Sequence, residues 1–166
     1  MMSCSESIPS KSGVAAEFRD AMRLHAAGVC VISCGRGEAV NGMVATAVNS
    51  FSMDPPSMLV CVNASASMAT ELAQGKVFAV AILGRHHEAL VGAFSRKPSG
   101  RARYDNGTWR FGEHGPPWLE DAPANVECVV EQSLAYGSHR ALIGRVVAVR
   151  IGPLAPSLIY RAGAYS

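Results

Sequence analysis

Long apolar runs, concentrated positive charge and the short metal and nucleotide motifs are all missing from this sequence, and each absence excludes something. No uninterrupted apolar stretch approaches the roughly 18 residues a membrane-crossing helix requires, so no bilayer partner is expected. The start, Met1 to Pro9, has no cationic segment followed by an apolar one, which predicts no secretory leader and a cytoplasmic location. Fifteen Lys and Arg against thirteen Asp and Glu leave a net charge of +2. That balance excludes a general nucleic-acid binder, which needs a concentrated basic face. A G-x-S-x-G elbow, a Walker loop and a G-x-G-x-x-G turn are all absent, so any nucleotide must be held without the usual glycine-rich loops.

Metal and disulfide chemistry are excluded in the same way. Five Cys is an odd number, a poor basis for a disulfide framework. Cys30, Cys34, Cys61 and Cys128 fall in strand-like runs and are expected to be reduced, buried thiols. His86-His87-Glu88 looks like a metal motif, but neighbouring side chains on a helix diverge by about 100°. With no C-x-x-C or H-E-x-x-H beside it, no metal is expected.

What is present suits one folded domain: 166 residues, 49% hydrophobic and 17% charged. Residues 1–13 read as a loose Ser-rich tail, and 14–166 as the domain. A helix is predicted from Val14, capped by Ser12 and ended by Gly28. Strands are predicted at 29–34, 40–48, 57–63, 76–83, 125–134 and 141–151, with a tight Gly35-Arg36-Gly37 connection between the first two. Asp54-Pro55-Pro56 breaks the chain before the third, proline being tolerated where a strand begins. Short helices are expected around 67–74 and 85–95. Eight Gly and Pro residues make 98–123 read as a long loop with a short strand at 108–111. Six strands with few helical crossovers predict a mainly β fold, an antiparallel six-stranded Greek-key barrel with a few short helices.

The segment richest in chemistry is Asn41 to Pro56, where a strand enters small and hydroxylated residues. Small side chains let a ligand approach the backbone, and Thr46, Asn49, Ser50 and Ser52 supply donors and acceptors. Downstream, Asn63-Ala-Ser-Ala-Ser-Met68 leads from a strand toward a helix, whose free N–H groups could hold a phosphate. Arg96-Lys97, with Arg101 and Arg103 nearby, reads either as a solvated loop or as a site for one or two phosphates. Together these point to a flat polar ring carrying a phosphate, without naming it.

These residues resemble the short-chain NAD(P)H:flavin reductases, the FMN-binding split-barrel family that supplies two-component flavin monooxygenases. The resemblance runs from Phe18-Arg19-Asp20-Ala21-Met22 and Ala27 to Ile32 onward. It is most specific at Gly42 to Ala47 and Ser50 to Pro56. It continues through Leu59 to Asn63, Phe78 to Leu83, Phe94 to Lys97, Glu127-Cys128, Gly137-Ser138-His139, Ile143 to Val146 and Tyr160 to Tyr165. It implies that Asn41, Gly42, Met43, Val44, Thr46 and Ala47 line the isoalloxazine and ribityl chain. Val62, Asn63, Ser67 and Met68 would follow the ribityl and phosphate, and Phe94, Ser95 and Lys97 would close the phosphate end. His139 would stand where nicotinamide stacks, as the catalytic and NAD-binding histidine, with Tyr165 also contacting NAD. Ser138 replaces the family's acidic residue beside that histidine, and Val48-Asn49 replaces a commoner pair of small Ser residues.

The implied activity is hydride transfer from NADH, or NADPH, to FAD or FMN, with FAD favoured. The implied partners are a separate monooxygenase and a second copy of the chain in a homodimer. Such chemistry needs no protein nucleophile, since the cofactors react and the protein supplies position and electrostatics. Two other readings of the same residues are a non-catalytic flavin-binding barrel and a relative of pyridoxamine-phosphate oxidase.

Overall fold

The computed structural model describes residues 11–96, 100–113 and 115–166. Most of the expected tail and the expected phosphate ligand Lys97 lie outside them. In chain order the elements are α1 (Lys11–Leu24), β1 (Ala27–Gly28), β2 (Cys30–Cys34), β3 (Asn41–Ala45), β4 (Val48–Met53), β5 (Pro56–Asn63) and β6 (Val77–Ile82). They continue with α2 (Glu88–Arg96), β7 (Trp109–Arg110), β8 (Trp118–Leu119), β9 (Ala124–Tyr136), β10 (His139–Ile151), β11 (Ile159–Arg161) and β12 (Ala164–Tyr165).

The large sheet is antiparallel throughout, with the order β3-β2-β6-β9-β10-β5-β4. Its two outermost members, β3 and β4, are consecutive in the chain and separated only by Thr46-Ala47. They are two halves of one bent strand: the first pairs with β2, the second with β5, and Cys61 N–H donates to Ala47 O at 2.9 Å. The sheet therefore curls until its ends meet at that corner. Counted with the bent strand as one, it is the expected six-stranded barrel. Among the described residues no strand pairs with the outer edge of β3, which leaves a split between β3 and the end of β5.

Alternation explains why β2 is buried along its whole length. Cys30, Ile32 and Cys34 point into the barrel with Val60, Val62, Phe78 and Leu142. Val29 and Val31 point the other way, under α2, into a layer holding Phe94, Tyr104, Trp109 and Leu119. A strand apolar on both faces has to be central, with packing on each side.

Several expectations shift. The first helix begins at Lys11 and ends at Leu24, so Ser12 lies inside it and Gly28 belongs to β1. The helix predicted around 67–74 is only a 3-10 turn, Ser67–Thr70, and the one at 85–95 is a 3-10 turn, Arg85–His87, followed by α2. Val48–Met53 is a strand that polar residues concealed; at the sheet's end, Asn49, Ser50 and Phe51 face solvent. The long segment 98–123 contains a two-stranded ribbon, with Trp109 opposite Leu119 and Arg110 opposite Trp118. Buried Asn125 pins it: its Nδ2 donates to Leu119 O at 2.8 Å, and its Oδ1 accepts Leu119 N–H at 3.0 Å.

Candidate functional site

The split has two lips. One is β3, which begins with buried Asn41 and Gly42, continues with half-buried Met43 and Val44, and leads into exposed Thr46 and Ala47. The other is the end of β5 with the turn from Asn63 to Met68. Asn41 joins them, its Nδ2 donating to Ser67 Oγ at 3.2 Å.

Behind β3 stands an aromatic wall. Tyr104 donates its hydroxyl proton to Asn41 O at 2.8 Å, and its ring meets Phe94 at 5.1 Å and Trp109 at 4.9 Å, both nearly perpendicular. Edge-to-face pairs of this kind hold ring positions as well as burying area. Burial pushes the Tyr104 phenol well above its usual range, so it remains a neutral donor. Arg103 donates to Gly42 O. Sequence alone gave Arg103 only a general phosphate reading and left Tyr104 unmarked; both act on the β3 backbone across more than sixty residues of chain.

At the corner, a cleft of about 570 Å³ is lined by Met22, His25, Thr46, Ala47, Val48 and Tyr160, among others. Thr46 and Ala47 were expected at the ligand; Met22, His25 and Tyr160 were not. The Tyr165 ring lies against that of Tyr160, tilted by 48° with centroids 5.1 Å apart, opposite it in the β11–β12 hairpin. That hairpin turns at Ala162 and Gly163, both at positive φ, and Ala162 N–H donates to Arg23 O at 2.8 Å. The spacing of the two tyrosines around Ala162-Gly163 is the signal that could have found Tyr160, since a two-residue turn places its flanks face to face.

His139 stands first in β10, opposite Asn63 of β5, so the structure brings these two expected residues together. Its Nδ1 is 2.9 Å from Ser138 Oγ, and its side chain is exposed. Among the described residues neither His139 nor Tyr165 lines the corner cleft itself.

The turn after Asn63 leads into a 3-10 turn at Ser67 instead of the longer helix expected there. Ala64 N–H donates to Ser138 O, Ser65 N–H to Asn63 Oδ1 and Ala66 N–H to Asn63 O, so these donors already have protein partners. Val62, Met68 and Phe94 are packed in the two cores, and only their backbone can face a ligand. Ser95 is exposed at the end of α2. Among the described residues no strand pairs with the outer edge of β3. Its first groups are taken, since Gly42 N–H donates to Asn41 Oδ1 and Gly42 O accepts from Arg103. The part open to a ligand therefore runs from Met43 toward Ala47, where small residues permit close approach.

Among the described cysteines Cys30, Cys34 and Cys128 are buried and behave as packing residues, whereas Cys61, expected to be buried, is half-buried. Burial pushes the Cys30 and Cys128 thiols up to about 12, and burial followed by the charge of Glu71 raises Cys34 further. Thiols held protonated in this way are poor nucleophiles.

His86 and His87 require a correction. The 3-10 turn places their rings 3.8 Å apart rather than divergent, and both face Asp121, at 3.7 and 3.2 Å. The three ligand-type groups lie within reach of one ion, but the hydrogen bonding does not fit one. His87 Nδ1 accepts Gly84 N–H at 3.0 Å, so the neutral ring carries its proton on Nε2, the atom facing Asp121. A metal would need that lone pair. Burial holds the His87 pKa below the usual histidine range, with Asp121 opposing. The unfolded chain therefore binds a proton near the ordinary value of about 6.5 while the folded chain does not. Stability is expected to fall as pH drops below that value, by at most about 1.4 kcal/mol per pH unit. His87→Asn keeps an acceptor for Gly84 N–H without a titrating ring. Thermal midpoints between pH 7.5 and 5.5 should fall less in the variant than in the parent; parallel curves would reject the assignment.

Residues 22–166 match the family described as the flavin reductase like domain. The chain belongs to this family. It is an oxidoreductase of the flavin reductase kind. Among curated relatives it is 37% identical over 145 residues to the FMN reductase (NADH) RutF of Variovorax paradoxus (strain S110), covering 87% of this chain and 81% of that one. It is 37% identical over 155 residues to the reductase component of the FADH(2)-dependent resorcinol hydroxylase of Rhizobium sp. (strain MTP-10005), covering 92% and 87%. Among solved structures, the NADH:FAD oxidoreductase SgcE6 of Streptomyces globisporus C-1027 superposes with a TM-score of 0.84 at 27% identity, covering 96% of both chains. BorF, the flavin reductase component of a bacterial two-component tryptophan halogenase, gives 0.82 at 26% identity, covering 92% and 96%. For a flavin reductase the split in the barrel is the natural place to look for the ring.

Proposed function

We propose that this flavin reductase binds FAD or FMN in the split, accepts hydride from NADH there, and passes reduced flavin to a separate monooxygenase. The observation that supports the reading is the outer edge of β3, which no strand among the described residues covers, beside the corner of Thr46 and Ala47. Met43 and Val44 would present backbone to the ring system. Asn41 and Gly42, whose own backbone groups are held by Tyr104, Arg103 and Asn41 Oδ1, would shape its inner end. Thr46 and Ala47 would floor its exposed end, and Asn63 and Ser67 would border the ribityl chain. Val62, Met68 and Phe94 would shape the site from within the cores, with Ser95 and Lys97 at the phosphate. When bound, the flavin supplies the hydride-accepting ring and NADH the hydride. His139, beside Asn63, would orient the nicotinamide; Tyr165 would act from behind Tyr160. The names of the relatives include both FMN and FAD, and of the two we propose FAD.

A homodimer in the cytoplasm completes the reading. The apolar residues Phe18, Met22 and Leu24 of α1 are exposed, as are Phe51, Met53, Leu134 and Tyr136 on the sheet. A groove of about 400 Å³ between Phe51, Leu59, Leu134 and Ile143 adds to this surface. Apolar area of that extent marks an interaction surface, and a second copy would cover it.

Mixing the chain with excess NADH and FAD tests the activity. Oxidation of many NADH per protein molecule is expected; tight yellow flavin with no NADH consumption would identify a binding module instead. For His139→Ala the expected result is a KM for NADH raised about tenfold with flavin affinity unchanged, the pattern of a lost substrate contact. Identical NADH kinetics in variant and parent would remove His139 from the site.

A further inference from the structure

We infer that Glu71 is a positioning residue of the site, a carboxylate that sets the spacing of the two lips of the split by holding Asn41. The inference rests on the reading that flavin occupies the split, and nothing in the sequence pointed to this residue. Glu71 follows the 3-10 turn Ser67–Thr70 and is half-buried. Its Oε1 accepts from Asn41 Nδ2 at 2.7 Å, and its Oε2 accepts from the Cys34 thiol at 3.3 Å. The same Asn41 nitrogen donates to Ser67 Oγ at 3.2 Å, while Asn41 Oδ1 accepts Gly42 N–H at 2.9 Å.

An amide nitrogen has two protons. Here one goes to Glu71 and the other to Ser67, and the amide oxygen is committed to the backbone of its own lip. The end of β2, the start of β3 and the turn after β5 thus meet on one carboxylate. The Asn41 side chain is nearly inaccessible, at 4% exposure. Removing the carboxylate would leave an amide proton and a thiol proton buried without an acceptor, which is costly. The available relief is rotation of Asn41, and that would release Ser67 and Gly42 N–H together. Burial and Glu71 keep the Cys34 thiol protonated, so it persists as a donor. Glu71 acts through Asn41 and takes no part in hydride transfer.

The test compares Glu71→Gln, Glu71→Asp and Glu71→Ala in the full chain, with FAD and FMN titrated against each and steady-state rates measured with NADH. Gln keeps an oxygen for Asn41 Nδ2 and turns its NH2 toward Cys34, which costs stability at the thiol but leaves the Asn41 link, so flavin should stay within about threefold of the parent. Asp falls short of Asn41 by one methylene, and Ala offers nothing. Both should weaken flavin about tenfold or more, while kcat at saturating flavin changes less than about threefold. Adding Glu71→Ala to Asn41→Ala should cost little beyond Asn41→Ala alone, because the two act as a unit. Parent-like flavin affinity in the Asp and Ala variants, a Gln variant as weak as Ala, or multiplying effects in the double variant would each overturn the proposal. If the Ala variant does not fold, the contrast of Gln with Asp decides. Failure of the site reading looks different: the parent then binds no flavin, or Asn41→Ala leaves its binding untouched.

Discussion

Gly42→Ala is expected to lower both stability and flavin binding, because there is no room behind β3 for one carbon atom. A Cβ at this position would collide with the Tyr104 hydroxyl, come within 2.8 Å of Phe94 Cε1 and lie 3.0 Å from Ile32 O. The first two belong to the aromatic wall, and the third is backbone of β2, so none is the loose end of a flexible chain. Overpacking of this kind costs about 1–3 kcal/mol, and displacing Tyr104 adds the loss of its bond to Asn41 O, about 1 kcal/mol. For a chain of this size the thermal midpoint should drop by roughly 5–10 °C. The strand that moves is also the lip of the split, so flavin affinity should fall about tenfold in the same variant. Removing the colliding hydroxyl in Gly42→Ala with Tyr104→Phe should recover part of the midpoint. A single variant as stable as the parent, measured by thermal unfolding, would show that the wall yields freely.

Phe78→Ala should produce the largest loss of stability. Phe78 is fully buried in the barrel interior, and its ring lies against Gly144 of β10: a Cβ on that glycine would be 2.5 Å from Phe78 Cζ and 2.9 Å from Cys128 Cβ. The ring fills the space a glycine leaves on the opposing strand. Emptying that space costs about 3–5 kcal/mol, a fall in the midpoint of roughly 10 °C or more. Gly144→Ala alone should also destabilise, by overfilling the same space, and Phe78→Leu should soften that penalty when combined with it. Strict additivity of the two changes would argue against a shared volume. A loss under about 1 kcal/mol in Phe78→Ala would mean that the barrel collapses around the gap.

The elements read correctly from sequence were those whose signal is local. Cys30 to Cys34, Pro56 to Asn63 and Val77 to Ile82 carry apolar patterns that a strand must bury, and Asp54-Pro55-Pro56 stops a strand because of proline's own geometry. Val48 to Met53 was missed because an outermost strand is half solvated and has little apolar pattern to show. The helix expected at 67–74 is a single 3-10 turn, because Ser-rich turns and helix caps use the same side-chain chemistry and do not report how far a helix runs. His86 and His87 were expected to diverge, and a 3-10 turn with Asp121 beyond it made them converge.

What the sequence by itself determined is a mainly β barrel, a run of small residues from Asn41 to Ala47 placed for backbone contact, and membership in a family that reduces flavin. What only the tertiary structure decided is how that run becomes a site. The closure of the barrel at Thr46-Ala47, the Tyr104 wall and the Glu71–Asn41–Ser67 link join residues 14 to 63 positions apart in the chain. Periodicity reports the face on which a residue lies; a contact at that separation depends on how the whole sheet curls, and no local pattern records it.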